Sequence, residues 1–275
     1  MIVVESGGSK SSWVFSNGQA ERNHLESVGL HPRELSAIKK EAISQLIHEH
    51  DLAGQSIYFY GAGCESDEAK KVISDFFSSL SLHVKVVQTD LYAACIAHLG
   101  DRPGFVGILG TGAVAAQFDG QRVVRYTSGL GYMLGDEGGG YDIGKTLLQY
   151  YFYDQLPAEI RTEIETYFDH QPILHTIHAP GGRKLVAGLT KIVHSYRWKP
   201  CIQEILENSF SNYCKKALQH LPINSPVYFV GSIAFYFRKE IQEVLQQYDY
   251  QIGGVSKEAV NDVFEFISNK NRQRT

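Results

Sequence analysis

The sequence predicts an α/β protein made of two halves that repeat the same arrangement of strands and helices. Each half opens with three closely spaced β-type segments, and a glycine turn follows the first strand of each half. Short apolar strands then alternate with segments of helical periodicity. Because strands that alternate with helices are typical of a mixed sheet covered by helices, we expect one such sheet in each half.

The elements of the first half follow from its hydrophobic pattern. Apolar and β-branched runs between small-residue turns predict strands at 2–4, 12–15, 19–25, 56–60 and 84–87. Apolar residues at helical spacing predict helices at 32–50, 68–80 and 91–99. The order is βββαβαβα, and we expect the first domain to span residues 1–97.

The second half begins the same pattern again and then becomes mostly helical. Strands are predicted at 105–109, 114–118, 123–126 and 227–230. A helical region at 142–221 is divided by prolines, and two further helices are predicted at 233–247 and 257–267. We expect residues 98–275 to form the larger second domain, with the last helix also able to pack back on the first domain.

Composition excludes several classes of protein. The 275 residues carry a formal net charge of −4, so nothing indicates the basic surface that nucleic-acid binding needs. The four cysteines show no C-x-x-C spacing, which favours free thiols over a zinc site. The first residues do not resemble a signal peptide, and no apolar run approaches the ~20 residues of a membrane span. We therefore expect a cytoplasmic protein that binds neither nucleic acid nor membrane.

Two glycine turns in matching positions indicate phosphate binding. The first lies in the segment Glu5-Ser6-Gly7-Gly8-Ser9-Lys10, and the second is Gly110-Thr111-Gly112. Small residues let the backbone turn tightly and direct N–H groups at an anion, and Ser9 and Lys10 add a hydroxyl and a positive charge. For the first turn, a plain hairpin is an equal alternative. Gly231-Ser232, which follows a strand and opens a helix, is a third backbone turn of this kind or a common α/β turn.

Asp90 stands where a predicted strand ends and a predicted helix begins. Aspartate is a favoured N-cap residue, so a structural role accounts for this position. A carboxylate there could also accept the proton of an attacking hydroxyl group. The position alone favours the cap.

The segment from Gly129 to Gly140 contains six glycines within twelve residues. Asp136 and Glu137 lie among these glycines, just before a helix. Carboxylates accept hydrogen bonds from hydroxyl groups, so this segment is suited to polyol recognition. The alternative is a flexible surface loop with helix-capping acids.

Taken in this order, the motifs resemble those of the actin-like ATPase superfamily. The resemblance is closest to the BadF/BadG/BcrA/BcrD-type family and its N-acetylglucosamine kinases, and it covers nearly the whole chain. Residues 129–144 resemble the family signature G-x-G-x-x-x-G-D-E-G-S-G-x-x-[IL]-G, and Tyr60-Gly61-Ala62-Gly63-Cys64 is similar to a segment of the bacterial kinases. The resemblance implies two ribonuclease-H-like domains with ATP and Mg²⁺ in the interdomain cleft.

The resemblance also implies a role for each motif. Asp90 matches the catalytic base, and Glu5 matches the residue that holds Mg²⁺ through water. The phosphate-binding residues would be Gly7, Gly8, Ser9, Lys10, Gly110, Thr111 and Gly112. The adenosine-binding residues would be Gly231 and Ser232, and the acceptor-binding residues would be His31, Gly63, Gly131, Asp136 and Glu137.

Four positions depart from the family pattern. Glu5 replaces an aspartate, Ala113 and Gly139 each replace a serine, and His31 replaces an asparagine expected to touch the sugar. The function that the resemblance implies is ATP-dependent phosphoryl transfer to a sugar hydroxyl, with N-acetylglucosamine as the acceptor. The departures keep open a non-catalytic sugar or nucleotide sensor, and the family includes activator-type ATPases. The sequence leaves the oligomeric state open between a monomer and a homodimer.

Overall fold

The computed structural model of the protein describes residues 1–7, 10–16, 22–126, 129–222 and 224–273. The chain divides into two compact units. The first unit comprises Met1–Arg102 together with Glu258–Thr275, and the second comprises Pro103–Lys257.

A five-stranded mixed sheet forms the centre of the first unit. Its strands are β1 (Ile2–Ser6), β2 (Lys10–Phe15), β3 (Asn23–Val28), β4 (Ser56–Gly61) and β5 (His83–Gln88). They lie in the order β3-β2-β1-β4-β5, in which β1, β2 and β3 are antiparallel neighbours and β4 and β5 run parallel to β1. The ends of β1 and β4 therefore lie at the same edge of the sheet.

Three helices follow the strands of this sheet: α1 (Ala37–Glu49), α2 (Asp67–Ser79) and α3 (Asp90–Leu99). Each begins after a hydroxyl side chain that accepts a hydrogen bond from a backbone N–H group three residues later; these caps are Ser36, Ser66 and Thr89. Trp13, Phe59 and Phe77 fill the core between sheet and helices and are almost completely buried.

The second unit repeats the same sheet topology. Its strands are β6 (Gly104–Leu109), β7 (Ala113–Phe118), β8 (Val123–Tyr126), β9 (Pro226–Val230) and β10 (Gln251–Ser256), in the order β10-β9-β6-β7-β8. Again the first three strands are antiparallel and the last two run parallel to the first. This repetition confirms the predicted fold class of two α/β halves, each built on a mixed sheet.

Helices account for most of the rest of the second unit. They are α4 (Gly140–Phe152), α5 (Ala158–Tyr167), α6 (Ile173–His178), α7 (Gly182–Gly188), α8 (Thr190–Ser195), α9 (Pro200–Tyr213), α10 (Ser232–Tyr236) and α11 (Arg238–Gln247). Phe210, Phe229 and Phe237 belong to the buried core that joins them to the sheet. The predicted helical region at 142–221 thus consists of α4–α9 and a short π-helical turn.

The last helix, α12 (Val260–Arg272), packs against α3 and β1 and belongs to the first unit. The chain leaves the first compact unit after Arg102 and returns to it at Glu258. The boundary predicted from the sequence, 97/98, lies a few residues earlier than this change of unit. The prediction for the last helix, a place in the second domain with the option of packing on the first, differs in the same way.

Other predicted elements differ from the structure in detail. The helix predicted at 32–50 begins at Ala37, because Pro32–Glu34 forms a separate 3₁₀ turn. The helix predicted at 233–247 is two helices that meet at Phe237, and β10 was not predicted. Part of the strand predicted at 19–25 lies outside the described residues, and β3 begins at Asn23.

Among the described residues, no helix is long and apolar enough to cross a membrane. All four cysteines are free thiols.

Candidate active site

Ser6, at the end of β1, joins three chain segments of the first unit through its buried hydroxyl group. The hydroxyl accepts hydrogen bonds from the backbone N–H of Leu30 and from the hydroxyl of Ser11, each at 2.8 Å. It donates to the carbonyl of Gly7 at 3.3 Å, and the Ser6 carbonyl accepts from the N–H of Ala62 at 2.9 Å. Ser6 thereby fixes the first glycine turn against the segments that carry His31 and Gly63.

We predict that Ser6→Ala destabilises the first unit by about 1–3 kcal/mol, because the buried N–H of Leu30 loses its acceptor. Urea unfolding followed by circular dichroism measures this loss. Ser44→Ala, at a partly exposed position of α1, is the matched control and is expected to change the unfolding free energy by less than about 0.5 kcal/mol. Equal stability of the Ser6 and Ser44 variants would contradict the prediction.

Glu5, the residue before Ser6, is held at the beginning of α12. Its Oε2 accepts hydrogen bonds from the backbone N–H groups of Ala259 at 2.7 Å and Val260 at 3.0 Å. Burial raises the pKa of Glu5 to about 7; the Ala259 and Val260 hydrogen bonds oppose this shift, and the negative charges of Asp90 and Glu258 add to it. Folding therefore favours the protonated form of this carboxyl group.

This raised pKa predicts a pH-dependent cost to stability. A carboxyl group whose pKa is higher in the folded state stabilises the fold at low pH and loses that contribution as the pH rises through about 7. Glu5→Gln, which retains an acceptor oxygen, is expected to be more stable than the wild type at pH 8 by on the order of 2 kcal/mol, with the difference disappearing near pH 4. Thermal unfolding across this pH range tests the expectation. A stability difference that does not change with pH would contradict it.

Asp90 is the first residue of α3, and Thr89 caps this helix. The Thr89 hydroxyl accepts from the N–H of Tyr92 at 3.1 Å, while Oδ1 of Asp90 accepts from the adjacent N–H of Leu91 at 2.9 Å. The interpretation of Asp90 as the N-cap is therefore wrong. Burial raises the pKa of Asp90 to about 6, the Leu91 N–H opposes this shift, and the negative charge of Glu65 adds to it.

The first glycine turn is closed by a hydrogen bond from the N–H of Gly7 to the carbonyl of Lys10 at 3.0 Å. The Lys10 ammonium forms ion pairs with Glu26 at 2.8 Å and with Glu258 at 2.6 Å. In this arrangement the positive charge is shared by two carboxylates, and a phosphate group would have to compete with them. The predicted residues Gly8 and Ser9 lie outside the described residues.

His31 and Gly63, both predicted to lie on the acceptor side, are in direct contact. Gly63 has a φ of +83°, and a Cβ atom placed on it would overlap the His31 ring. Nδ1 of His31 accepts from the N–H of Arg33 at 3.2 Å, so its Nε2 end is the one directed at Gly63. The His31 ring can lie at this position because Gly63 has no side chain.

In the second unit, three glycine-containing segments meet at the turn between β6 and β7. Gly110 donates to the carbonyl of Gly112 at 3.0 Å, and its own carbonyl accepts from the N–H of Gly140 at 2.8 Å. Gly231, with a φ of +127°, lies so close that a Cβ atom on it would overlap the Leu109 carbonyl. A Cβ atom on Gly110 would meet no atom within 4 Å, so free space adjoins the turn at this residue. The predicted partner Thr111 lies within the same turn, and Ser232 is exposed beside Gly231.

Asp136 is buried against this turn. Its backbone has a φ of +62°, its Oδ1 accepts from the N–H of Ala113 at 3.3 Å, and its Oδ2 pairs with Arg183 at 3.2 Å. Burial raises the pKa of Asp136, and the Ala113 N–H and the Arg183 guanidinium act in the opposite direction. The predicted acceptor-binding carboxylate thus contacts the second glycine turn directly.

The remaining predicted residues, Gly131 and Glu137, precede and follow Asp136 in the sequence. Oε1 of Glu137 accepts from the ammonium of Lys216 at 2.7 Å. The carbonyl of Gly131, a residue with a φ of +76°, accepts from the N–H of Gly135 at 2.8 Å. The roles assigned to all these residues from the sequence stay predictions.

Three further residues organise these loops but are not among the predicted site residues: Ser6, which lies within the first motif, Asp142 and Arg183. Oδ2 of Asp142 accepts from the N–H of Gly138 at 3.2 Å and from the hydroxyl of Ser209 at 2.5 Å. Its position in the helix that follows a glycine-rich loop is a signal that could have indicated this role. Arg183 is 47 residues from Asp136 in the sequence, and no motif surrounds it.

No protein-family model matches the chain. An N-acetylmuramic acid/N-acetylglucosamine kinase from Clostridium acetobutylicum is 25% identical over 224 residues, which cover 71% of this chain and 70% of that protein. A candidate N-acetylglucosamine kinase from Porphyromonas gingivalis has a similar structure, with a TM-score of 0.91 and 23% identity over 98% of this chain and 99% of that one. A ROK family glucokinase from Streptomyces griseus has a TM-score of 0.59 at 15% identity, and the match covers 99% of each chain.

The repeated sheet topology and these structural likenesses define the chain as a protein of the actin-like ATPase fold, built from two ribonuclease-H-like domains. Within this fold, the Clostridium relative confirms the resemblance to the BadF/BadG/BcrA/BcrD-type family and its N-acetylglucosamine kinase-like branch.

Proposed function

We propose that this protein is an ATP-dependent sugar kinase whose acceptor is N-acetylglucosamine. The observation that carries the proposal is the position of Asp90 at the start of α3 together with its raised pKa. This carboxylate begins α3 without capping it, and burial raises its pKa to about 6. A general base works best when its pKa lies near the working pH, so Asp90 is suited to accept a proton at neutral pH. The kinase from Clostridium acetobutylicum supports the choice of an amino sugar.

Each unit carries groups suited to part of this chemistry. In the second unit, the N–H groups of Thr111 and Gly112 are the donors proposed for the ATP phosphates, since the Gly110 N–H already donates to the Gly112 carbonyl, and Gly231 and Ser232 adjoin the nucleoside. In the first unit, Asp90 takes the proton of a sugar hydroxyl, whose oxygen attacks the γ-phosphate as the bond to ADP breaks. Since phosphoryl transfer needs positioning and charge stabilisation more than covalent help, few catalytic side chains are required.

The residues proposed to bind the acceptor sugar lie on loops of both sequence halves. His31 and Gly63 belong to the first unit, and Gly131, Asp136 and Glu137 belong to the second. Asp136 and Glu137 are already paired with Arg183 and Lys216, so their oxygens are oriented before a sugar hydroxyl arrives. Such fixed acceptors lower the cost of ordering the site on binding.

The proposed Mg²⁺ ion would be held through water by Glu5. Oε2 of this carboxylate accepts from the N–H groups of Ala259 and Val260, so a water molecule of the hydrated cation would donate to Oε1. The described residues form no group of three or more His, Cys, Asp or Glu side chains that could hold a metal directly, which favours a water-mediated contact. When bound, the ion neutralises charge on the phosphates.

A coupled assay of ADP release tests the proposal. N-acetylglucosamine, N-acetylmuramic acid and glucose are each added to the protein and ATP, with and without Mg²⁺. We expect N-acetylglucosamine to stimulate ADP release in the presence of Mg²⁺, and the Asp90→Asn variant to serve as the background. Sugar-induced thermal stabilisation without ADP release would instead support a sensor, and no stimulation by any sugar would refute the kinase.

A further inference from the structure

Arg183 occupies a fixed place beside the second glycine turn, although no sequence motif indicates it. It is the second residue of α7, and its Nη2 lies 3.2 Å from Oδ2 of Asp136. Its guanidinium group also lies over the ring of Tyr132, 4.9 Å from the ring centroid. An ion pair on one side and an aromatic face on another restrict the orientation of the arginine.

Only one carboxylate separates this guanidinium group from the turn. The oxygen of Asp136 that pairs with Arg183 is the same oxygen that would lie 2.5 Å from a Cβ atom placed on Gly112. The other oxygen of Asp136 accepts from the N–H of Ala113, the residue that follows the turn. Beside this group, Gly110 adjoins free space. A ligand on the turn would therefore lie within reach of the arginine.

A phosphate group at this turn would lie beside a buried carboxylate, so a nearby cation would favour its binding. Asp136 is buried, and an unpaired carboxylate at this place would repel a phosphate group. Two other cations of the second unit are paired elsewhere, since Lys216 binds Glu137 and Lys145 lies 3.5 Å from Asp142. Arg183 is about half exposed, and its hydrogen bond to Asp136 uses one of five guanidinium N–H donors. Its planar fork can bind a carboxylate and a phosphate at the same time.

We infer that Arg183 binds the phosphate chain of the nucleotide at the Gly110–Gly112 turn, and that Asp136 holds it in position to do so. The inference rests on the proposed function insofar as that function brings a nucleotide to this turn. It adds a side-chain cation to a phosphate site otherwise made of backbone N–H groups.

The test compares Arg183→Gln with Lys184→Gln. Glutamine at 183 retains a donor for Asp136 and removes the charge, whereas Lys184 is the exposed neighbour on the same helix and serves as the matched control. Calorimetric titration measures the affinity for ADP and for adenosine. Because a hydrogen bond to a charged group is lost, we expect Arg183→Gln to bind ADP about 10- to 100-fold more weakly and adenosine as tightly as the wild type. Lys184→Gln is expected to bind both as the wild type does.

Two results would overturn the inference. ADP affinity equal to the wild type in Arg183→Gln would show that the arginine does not touch phosphate, and an equal loss for ADP and adenosine would show a merely structural role. Arg183→Lys, which keeps a point charge, is expected to recover part of the ADP affinity. A wild-type protein that binds ADP but shows no sugar-stimulated ADP release refutes the kinase and leaves the Arg183 result to stand. A wild-type protein that binds no nucleotide refutes both.

Discussion

Asp90→Asn is expected to lower kcat about 10³-fold while the affinity for ATP stays within about twofold of the wild type. Asparagine has nearly the shape of aspartate, so its side-chain oxygen can still accept from the Leu91 N–H. It cannot accept a proton from the sugar hydroxyl. Steady-state kinetics measure the turnover, and ATP titration of the same preparation measures the binding.

Asp67→Asn is the matched control for this variant. Asp67 is likewise the first residue of a helix in the first unit, and a hydroxyl residue, Ser66, caps that helix as Thr89 caps α3. The two substitutions therefore alter the same helix position and differ in burial, because Asp67 is exposed. We expect Asp67→Asn to retain full turnover. A fall in kcat of less than tenfold in Asp90→Asn would remove Asp90 as the base.

The repeated architecture could be predicted because its signals are local. A β-type run, a glycine turn and a second β-type run occur at the start of each half, and both sheets have the expected three antiparallel strands. Strand β10 was not predicted because it carries Gly253 and Gly254 in its centre and pairs with β9 through an irregular register at this point. Its place in the sheet depends on β9, a contact that a local pattern does not contain.

The candidate site could be predicted in part for the same reason. Asp90 and the glycine turns occupy positions defined by the ends of neighbouring elements, so their place follows from the order of strands and helices. The pairing of Asp136 with Arg183 depends on how α7 packs within the second unit, and that packing is set by many apolar contacts. The capping role of Thr89 shows a further limit, since Thr and Asp are both good caps and the sequence alone does not decide between them.

Gly231→Ala is expected to destabilise the second unit by about 3 kcal/mol and to weaken nucleotide binding. The residue has a φ of +127°, which side-chain-bearing residues rarely adopt, and the added Cβ atom would overlap the carbonyl oxygen of Leu109 and lie 2.6 Å from its carbonyl carbon. Relief requires the backbone of Leu109 and Gly110 to move, and this backbone begins the turn Gly110–Gly112, which is proposed to bind phosphate. Thermal unfolding, with an expected fall in Tm of about 8 °C, and ADP titration measure the two effects.

Gly181→Ala separates backbone strain from steric overlap. Gly181 also lies in the second unit and has a φ of +90°, but a Cβ atom placed on it would meet no atom within 4 Å. We expect this control to cost about 1 kcal/mol, from the left-handed backbone alone, and to leave ADP affinity unchanged. If both variants lost equal stability and neither lost ADP affinity, the close approach of Gly231 to the turn would have no role in nucleotide binding. The larger loss expected for Gly231→Ala follows from the contact between two backbone segments, which tolerates no side chain.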